Sequence, residues 1–328
     1  MKKIILCLLL INSFSIGYTQ IIKGTILDKS NNSKISFATV YLNGTSVGTY
    51  TDQNGYFELD ITKYNTMPIT VSALGYYSVT ISDFSKDKTL VAFLMPKIFV
   101  LNEVVINSKS LARERKLKLI AFRTEFLGTT ENGQSCEIIN ENDVEFNYDS
   151  DNDTLKAFAS KPLIIYNRRL GYKITYYLDK FQYYKRSKFL SYVGSIIFSK
   201  DSISPDTQKQ TFDRRRRYAY LGSRMHFFRI LWANDLKGAG FTIINTSDES
   251  LYYNNIVIQK DGSRKFLTYH EKIGIGYYSR VPSSYIGFLK KEVYFDKNGY
   301  FDPSGIAWEG QMSRLRIGDL LPYEYDNN

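Results

Sequence analysis

Hydrophobic and polar residues alternate with a period of two in the first third of the chain, between Ile21 and Asn107. The segments SFATVYL, GYFELDI and PITVSAL each place every second apolar side chain on one face, which is typical of short β-strands. Turn residues separate these segments, and the Asn54-Gly55 pair tolerates the positive φ of a tight hairpin. Short strands separated by such turns predict a β-sandwich.

The pattern changes after this region. Leu119, Phe122 and Phe126 recur with helical spacing in LARERKLKLIAFRTEFLG, which predicts a helix ending near a glycine. Alternating stretches rich in Tyr and Ile follow and predict further strands. The sequence therefore predicts an N-terminal all-β sandwich over residues 20–107, followed by an α+β, mainly β, domain over residues 108–328.

Several turns in the second region carry their own signals. Asp261-Gly262 and Asn298-Gly299 predict tight hairpins. Asp149, Asp151 and Asp153 have the one-three-five spacing of a calcium loop, but the sixth and twelfth positions lack the Gly and Glu that an EF-hand requires. We interpret this stretch as a polar hairpin turn.

The ordered segments IKGTILD, SFATVYLNGTSVGTYTDQNGYFEL, ITVSALGYYS and LNEVVI closely resemble the carboxypeptidase regulatory-like domain. The elements A-T-V-x-L-x-G-T, G-T-x-T-D-x-N-G-x-F and S-A-L-G-Y stand in order across residues 21–107. That family is a transthyretin-like sandwich, common on exported proteins of the Bacteroidetes. The resemblance implies a non-catalytic module that stabilises, spaces or docks its neighbour.

The second region is similar to a recurrent C-terminal region that accompanies such domains in Bacteroidetes exported proteins. The similarity rests on PLIIYNRRLGYKITYYLDKF, DRRRRYAYLGSRMHFFRIL and GDLLPYEY, and it implies no established activity. Within the first region, Gly44 to Gly48 (GTSVG) fits the nucleophile elbow of α/β-hydrolases, which needs a following helix and a nearby histidine. A strand follows instead and the first region has no histidine, so we predict a hairpin turn.

Residues 1–19 have the three parts of a secretory signal. Lys2 and Lys3 are followed by an apolar run, and Thr19 stands before the predicted cut. The apolar run is too short for a stable membrane span, and no later stretch is apolar enough to form one. Cys7 raises a lipoprotein alternative, but it lies inside the apolar run. We expect an exported protein, in the periplasm, on the outer membrane surface or secreted.

The distribution of charge and the cysteine content add to the description of the two regions. The formal net charge is +10, and seven lysines balance seven acids in residues 21–107, so the positive excess of the mature chain lies in the second region. The difference in charge favours two domains. Cleavage leaves Cys136 as the single cysteine, which excludes an internal disulfide bond and a Cys-x-x-Cys metal centre.

The sequence predicts no metal site, no cofactor and no local catalytic motif. His226 and His270 are the two histidines, and neither belongs to a His-Glu-x-x-His or His-x-x-Glu zinc motif. Acid pairs for glycoside cleavage could include Glu271, Glu292 and Glu309, although a domain of this size always contains such residues.

The stretch from 213 to 229, DRRRRYAYLGSRMHFFR, is the strongest candidate for binding. Helical spacing predicts a buried apolar stripe, formed by Leu221, Met225, Phe228 and Trp232. Asp213 is the predicted N-cap, and the arginines that follow oppose the helix dipole, which indicates that they have acidic partners. The candidate polyanion-binding residues are Arg214, Arg215, Arg216, Arg217, Arg224 and Arg229.

Two interpretations of these arginines stay open: pairing with the domain's own carboxylates, or binding of an anionic glycan, lipid head group or envelope protein. Export excludes intracellular nucleic acid. The function expected is an exported, non-catalytic cell-envelope protein in which the sandwich spaces or docks a basic binding domain. The alternative is a hydrolase of envelope or dietary polymers with its site in the second domain.

Overall fold

The computed structural model describes residues 19–84, 89–97, 108–201, 208–260 and 264–327. The predicted signal peptide apart from its last residue, the segment LNEVVIN and the Asp261-Gly262 turn lie outside these residues. Among the helices of the described residues, none is long and apolar enough to cross a membrane.

The first region forms two facing β-sheets, with strand orders β4-β1-β7 and β3-β2-β5-β6. Apolar side chains from both sheets meet in one buried cluster that includes Ile26, Phe57, Val40 and Val71. The predicted sandwich is therefore confirmed. Its strands are β1 (Ile21–Asp28), β2 (Thr39–Leu42), β3 (Gly48–Tyr50), β4 (Tyr56–Asp60), β5 (Ile69–Ser72), β6 (Val79–Ile81) and β7 (Leu90–Leu94).

Strands β2 and β5 are buried on both faces, although their alternating sequence predicted one buried face. The reason is that their outer face packs on the second region. The Tyr41 ring stacks on the Tyr177 ring with centroids 5.9 Å apart, and its hydroxyl bonds to Ser195 and Ser72. Thr39 and Tyr177 share a further hydrogen bond of 2.9 Å.

The second region begins with a helix on a six-stranded antiparallel sheet, which we call the central sheet. Helix α1 (Ser108–Leu127) lays Phe122 and Phe126 on Phe181 and Tyr176, with ring centroids 4.9 Å apart in both contacts. This buried face is the one predicted. The other elements are α2 (Glu131–Gln134), β8 (Cys136–Ile138), β9 (Val144–Asp149), β10 (Thr154–Ala159), β11 (Leu163–Asn167), β12 (Tyr172–Tyr184) and β13 (Phe189–Lys200).

The long strand β12 organises the central sheet. It pairs with β13 along its whole length on one side, and with β11 and β10 in succession on the other. Strands β9 and β10 enclose the DSDND turn, where Asp149 accepts hydrogen bonds from Asn152 and Lys156. The predicted polar hairpin is thus confirmed.

The last part of the chain, which we call the C-terminal β unit, has a four-stranded sheet (β14-β17-β18-β20) and a three-stranded sheet (β15-β16-β19). Its core receives Phe227, Phe228 and Leu231 from the arginine-rich stretch. The elements are β14 (Phe241–Ile244), α5 (Tyr253–Ile256), β15 (Val257–Lys260), β16 (Arg264–Leu267), β17 (Ile273–Tyr277), β18 (Ser284–Phe288), β19 (Val293–Phe295), β20 (Ile306–Gly310) and α6 (Gln311–Arg314).

The arginine-rich stretch forms two helices, α3 (Lys209–Tyr220) and α4 (Arg224–Ala233), so the single helix predicted from its spacing is wrong. Gly222 takes a φ of +73°, and Ser223 caps α4 by accepting a hydrogen bond from the backbone of His226. Asp213 lies inside α3 and is not its N-cap. Of the predicted stripe, only Phe228 is fully buried.

The GTSVG stretch is the turn between β2 and β3, as predicted, and it joins the sandwich to the rest of the protein. Gly44 N donates to Ile196 O, and Phe198 N donates to Thr45 O, each at 2.9 Å. Ser46 Oγ donates to Glu324 at 2.7 Å. The sandwich is therefore hydrogen-bonded both to β13 and to the last residues of the chain.

Candidate functional site

A cavity of about 470 Å³, which we call the outer pocket, opens between the central sheet and the C-terminal β unit. Its walls come from the start of α2, the β11–β12 turn, the C-terminal half of α3, the α3–α4 junction and strands β17 and β18. The polar side chains that matter for its chemistry are Glu131, Arg169, Arg215, Tyr218, Ser283 and Asp319.

Arg215 and Arg169 place two guanidinium groups in the outer pocket. Arg215 is half-buried, and its one described hydrogen bond runs from Nη1 to the backbone oxygen of Arg169 at 3.4 Å. Arg169 pairs with Glu131, a carboxylate that is itself largely exposed. Within the described residues, Arg215 has no carboxylate partner. It is thus a cation with unused donors that faces a cavity.

Asp319 is the buried carboxylate of the outer pocket. Its Oδ1 accepts hydrogen bonds from Thr130 Oγ1 at 2.7 Å and from Asn132 Nδ2 at 3.1 Å. Burial raises the pKa of this carboxyl, and these hydrogen bonds act in the opposite direction. Asp319 therefore fastens α2 to the C-terminal segment.

The remaining predicted arginines divide into two groups. Arg224 donates from Nε and Nη2 to the backbone oxygen of Met312, and Arg229 donates to three backbone oxygens. Arg216 donates to Leu170 O at 2.9 Å and stacks over an aromatic ring. These three guanidinium groups connect chain segments inside the protein.

Arg214 and Arg217 are exposed, and among the described residues neither side chain has a hydrogen bond or an ion pair. The structure thus separates the six candidates by environment: one at the outer pocket, three tied to backbone oxygens and two in solvent. Internal pairing does occur, but backbone carbonyls rather than carboxylates supply most of it. The Arg216–Asp213 contact of 3.4 Å is the exception.

A second cavity of about 190 Å³, which we call the inner cavity, adjoins the outer pocket and shares four wall residues with it. The sandwich, the central sheet, α4 and the C-terminal segment all contribute to its walls. Its wall includes Gly44, Tyr176, Tyr192, Arg224, Phe301 and Tyr323.

A wide groove of about 1060 Å³ runs beside β14 on the C-terminal β unit. Lys237, Asp248 and Arg280 line it together with apolar side chains. Because its charged residues have both signs and it is open to solvent, the groove selects no charge class.

Neither histidine lines the outer pocket or the inner cavity. His226 is packed among Tyr220, Phe241 and Tyr277, and its Nδ1 accepts a hydrogen bond from Gly222 N at 3.1 Å. Burial lowers its pKa to about 4, so the ring is neutral at pH 7. His270 is exposed. The described residues contain no cluster of three or more His, Cys, Asp and Glu that could hold a metal ion.

Sequence reasoning missed Arg169, Asp319 and the cavity tyrosines. Arg169 was visible within the phrase NRRLGY, whose Gly171 takes a φ of +67° in the β11–β12 turn. A basic pair next to a turn could have marked Arg169 as a candidate binding residue. The tyrosines of β12 and β13 were interpreted only as strand residues, because nothing local marks which of them meet across a cavity.

Comparison with known proteins agrees with the first region. Residues 22–106 match the family model of the CarboxypepD_reg-like domain. No curated protein matches the chain. A crystal structure of a 9R-lipoxygenase from Cyanothece PCC8801 aligns with 65% of this chain and 48% of its own length, at 10% identity and a TM-score of 0.19. The aligned chain covers less than half of that protein, and so low a score carries no argument about fold or function.

Proposed function

We propose that this chain, whose residues 22–106 are a CarboxypepD_reg-like domain, is an exported, non-catalytic cell-envelope protein that binds an anionic group in the outer pocket. The carrying observation is the Arg215 guanidinium, which lines the pocket and has no carboxylate partner among the described residues. An unpaired guanidinium beside a cavity favours a carboxylate, phosphate or sulfate from outside.

The pocket wall adds two features suited to such a ligand. The N-terminus of α4 lies at the wall through Gly222 and Ser223, so its partial positive charge favours an anion. Tyr218 stands at the wall with 73% of its surface exposed, and its ring could pack against a sugar or another flat group. An anionic glycan, a lipid head group and an acidic envelope protein all offer this chemistry.

The regulatory-like sandwich acts in this proposal as a docked structural module. The hydrogen bonds of the GTSV turn hold it against β13, and the Lys97–Asp179 ion pair of 2.9 Å is buried between the two regions. A domain held by hydrogen bonds and a buried ion pair positions its neighbour better than a flexible spacer would. Export predicts a mature chain that begins at Gln20, which N-terminal sequencing of the secreted or periplasmic protein tests.

Retention on a sulfated matrix tests the anion site with two double variants of equal charge. Arg169→Gln with Arg215→Gln removes the pocket cations, whereas Arg214→Gln with Arg217→Gln removes two solvent-exposed cations. The pocket variant should elute at clearly lower salt than the exposed variant. Equal shifts would mean that net charge alone governs retention, and the pocket would then have no special role.

The runner-up function, a hydrolase, has one observation in its favour: Glu131 and Asp319 line the same pocket. A pair of carboxylates can serve as acid and base in glycoside cleavage. Both are already engaged, one by Arg169 and the other by Thr130 and Asn132. Hydrolysis of an envelope polysaccharide that Asp319→Asn abolishes, with the fold intact, would establish the hydrolase and overturn the binding proposal.

A further inference from the structure

The inner cavity lies where the three parts of the protein meet. Gly44 comes from the sandwich, Tyr176 and Tyr192 from the central sheet, Arg224 from α4 and Tyr323 from the C-terminal segment. Each wall is fixed by other contacts, such as the 2.9 Å hydrogen bond from Tyr323 N to Gly44 O. The cavity is therefore a preformed space within packed units.

Several hydrogen-bonding groups that line this cavity have no partner among the described residues. Arg224 uses Nε and Nη2 for backbone oxygens, and among the described contacts Nη1 has no acceptor. The hydroxyls of Tyr176, Tyr192 and Tyr323 likewise make no described hydrogen bond, although the Tyr176 side chain is almost wholly buried. These groups are therefore free to donate hydrogen bonds to a molecule in the cavity.

Arg224 supplies the cation of the cavity wall. It forms no ion pair within the described residues; Asp319, the one acid of the wall, attracts it at longer range and is hydrogen-bonded to Thr130 and Asn132. Burial raises the pKa of Tyr176 and of Tyr323, so both hydroxyls stay protonated and can donate. One guanidinium with tyrosine hydroxyls around it matches a carboxylate.

The size and the other walls limit the ligand further. A cavity of about 150 Å³ lined by apolar side chains accepts a benzene molecule, so about 190 Å³ holds a slightly larger compact group. Phe301, Met225 and Leu320 supply apolar wall around the polar groups. The site suits a carboxylate on a small apolar body better than a free inorganic ion.

We propose that the inner cavity is a binding site for a small organic carboxylate, aromatic or short-chain aliphatic, held by Arg224 and the hydroxyls of Tyr192 and Tyr323. This site is additional to the one in the proposed function, and its ligand enters through the outer pocket past the shared wall of Ala219, Ser223 and Leu315. The sandwich takes part in the site through Gly44.

The experiment is isothermal titration calorimetry of the full mature chain with benzoate and hexanoate. Comparing the two distinguishes an aromatic from an aliphatic carboxylate ligand. Benzamide is the neutral isostere, and inorganic phosphate is the anion without an apolar body. One of the two carboxylates should bind saturably at one site, at least tenfold more tightly than benzamide or phosphate. Tryptophan fluorescence gives a second readout, because Arg224 stacks over the Trp308 ring at 5.2 Å.

Tyr192→Phe and Tyr323→Phe are the decisive variants, since each deletes only a hydroxyl that makes no hydrogen bond within the part of the chain that the structure describes. Each should weaken carboxylate binding by about ten- to a hundredfold, the effect of one hydrogen bond to a charged group, and leave the urea midpoint of unfolding unchanged. Tyr166→Phe, on β11 outside the cavity, is the matched control and should bind as the parent does. Of benzoate and hexanoate, the one that the parent binds more tightly should also be bound more tightly by each variant.

Two results would overturn the inference. One is the absence of saturable binding for both carboxylates, and the other is binding that both Phe variants leave unchanged. If Arg215 still governs retention on the sulfated matrix in that case, the proposed function stands and only the inner site fails. If the carboxylate binds as expected but retention ignores Arg215, the proposed function fails and the inner site stands.

Discussion

Replacing Arg229 with Gln should destabilise the fold strongly, because this guanidinium joins two separate chain segments. It donates to Asn298 O at 2.9 Å, to Tyr325 O at 2.8 Å and to Tyr323 O at 3.1 Å, and it lies 5.4 Å from the centre of the Tyr220 ring. A shorter neutral side chain can replace one of these hydrogen bonds at most.

The expected loss follows from these contacts. A hydrogen bond to a charged group contributes about 1.5–3 kcal/mol, and such contributions add incompletely when they share one side chain. Two lost bonds at a partly exposed site correspond to about 3 kcal/mol in the free energy of unfolding. Arg214→Gln is the matched control, since that side chain is exposed and without a described partner, and it should change the free energy by less than about 0.5 kcal/mol.

Urea unfolding followed by tryptophan fluorescence measures both variants, because Trp232 lies on the same helix as Arg229. The Arg229→Gln midpoint should fall well below that of the parent, and its retention on a sulfated matrix should change little. Equal stability of the two variants, together with a selective loss of retention for Arg229→Gln, would refute the structural role and return Arg229 to the ligand site.

Three further results are expected. Burial lowers the pKa of His226 to about 4, below that of the unfolded chain, so the stabilising contribution of the neutral ring is complete above about pH 6.5 and is lost as the pH falls towards 4. The parent should therefore lose roughly 2 kcal/mol more than His226→Asn between pH 7.5 and 4.5 in urea titrations. Gly44→Ala should lower stability by about 1–3 kcal/mol more than Gly75→Ala, because both glycines have φ near +80° but only the first would place a Cβ 2.6 Å from the Tyr323 ring; equal urea midpoints would contradict the docking contact. Burial raises the pKa of the Cys136 thiol to about 12, so Ellman's reagent should react with it only after unfolding, and rapid labelling of the folded chain would contradict this.

The sandwich was predictable because period two and turn chemistry are local. Asp52 and Asp296 illustrate this, because each begins a hairpin with the sequence D-x-N-G-Y-F. In both hairpins the Oδ1 atom of the aspartate accepts two backbone hydrogen bonds, from the residues two and four positions later. Asp296 is also buried against the sandwich, where Thr66 Oγ1 donates to it at 2.9 Å. The turn was predictable from the sequence, but the contact of Asp296 with Thr66 of the sandwich was not.

The arginine-rich stretch was predictable only in part, because its local pattern fits more than one structure. The spacing of Met225, Phe228 and Trp232 indicated a helix, but the break at Gly222-Ser223 depends on a positive φ and on a cap. The environment of Arg224 and Arg229 depends on carbonyls about 70 to 100 positions away, as the contacts of Arg229 with residues 298–325 show. No periodicity encodes such distant acceptors.

A crystal structure of the protein with bound tungstate is the most direct test of anion binding in the outer pocket, because the anomalous signal of tungsten locates an oxyanion without ambiguity. If the outer pocket binds anions, a tungsten peak is expected there, within hydrogen-bond distance of the Arg215 guanidinium. A peak confined to the exposed side of α3 at Arg214 and Arg217, with the outer pocket empty, would contradict it.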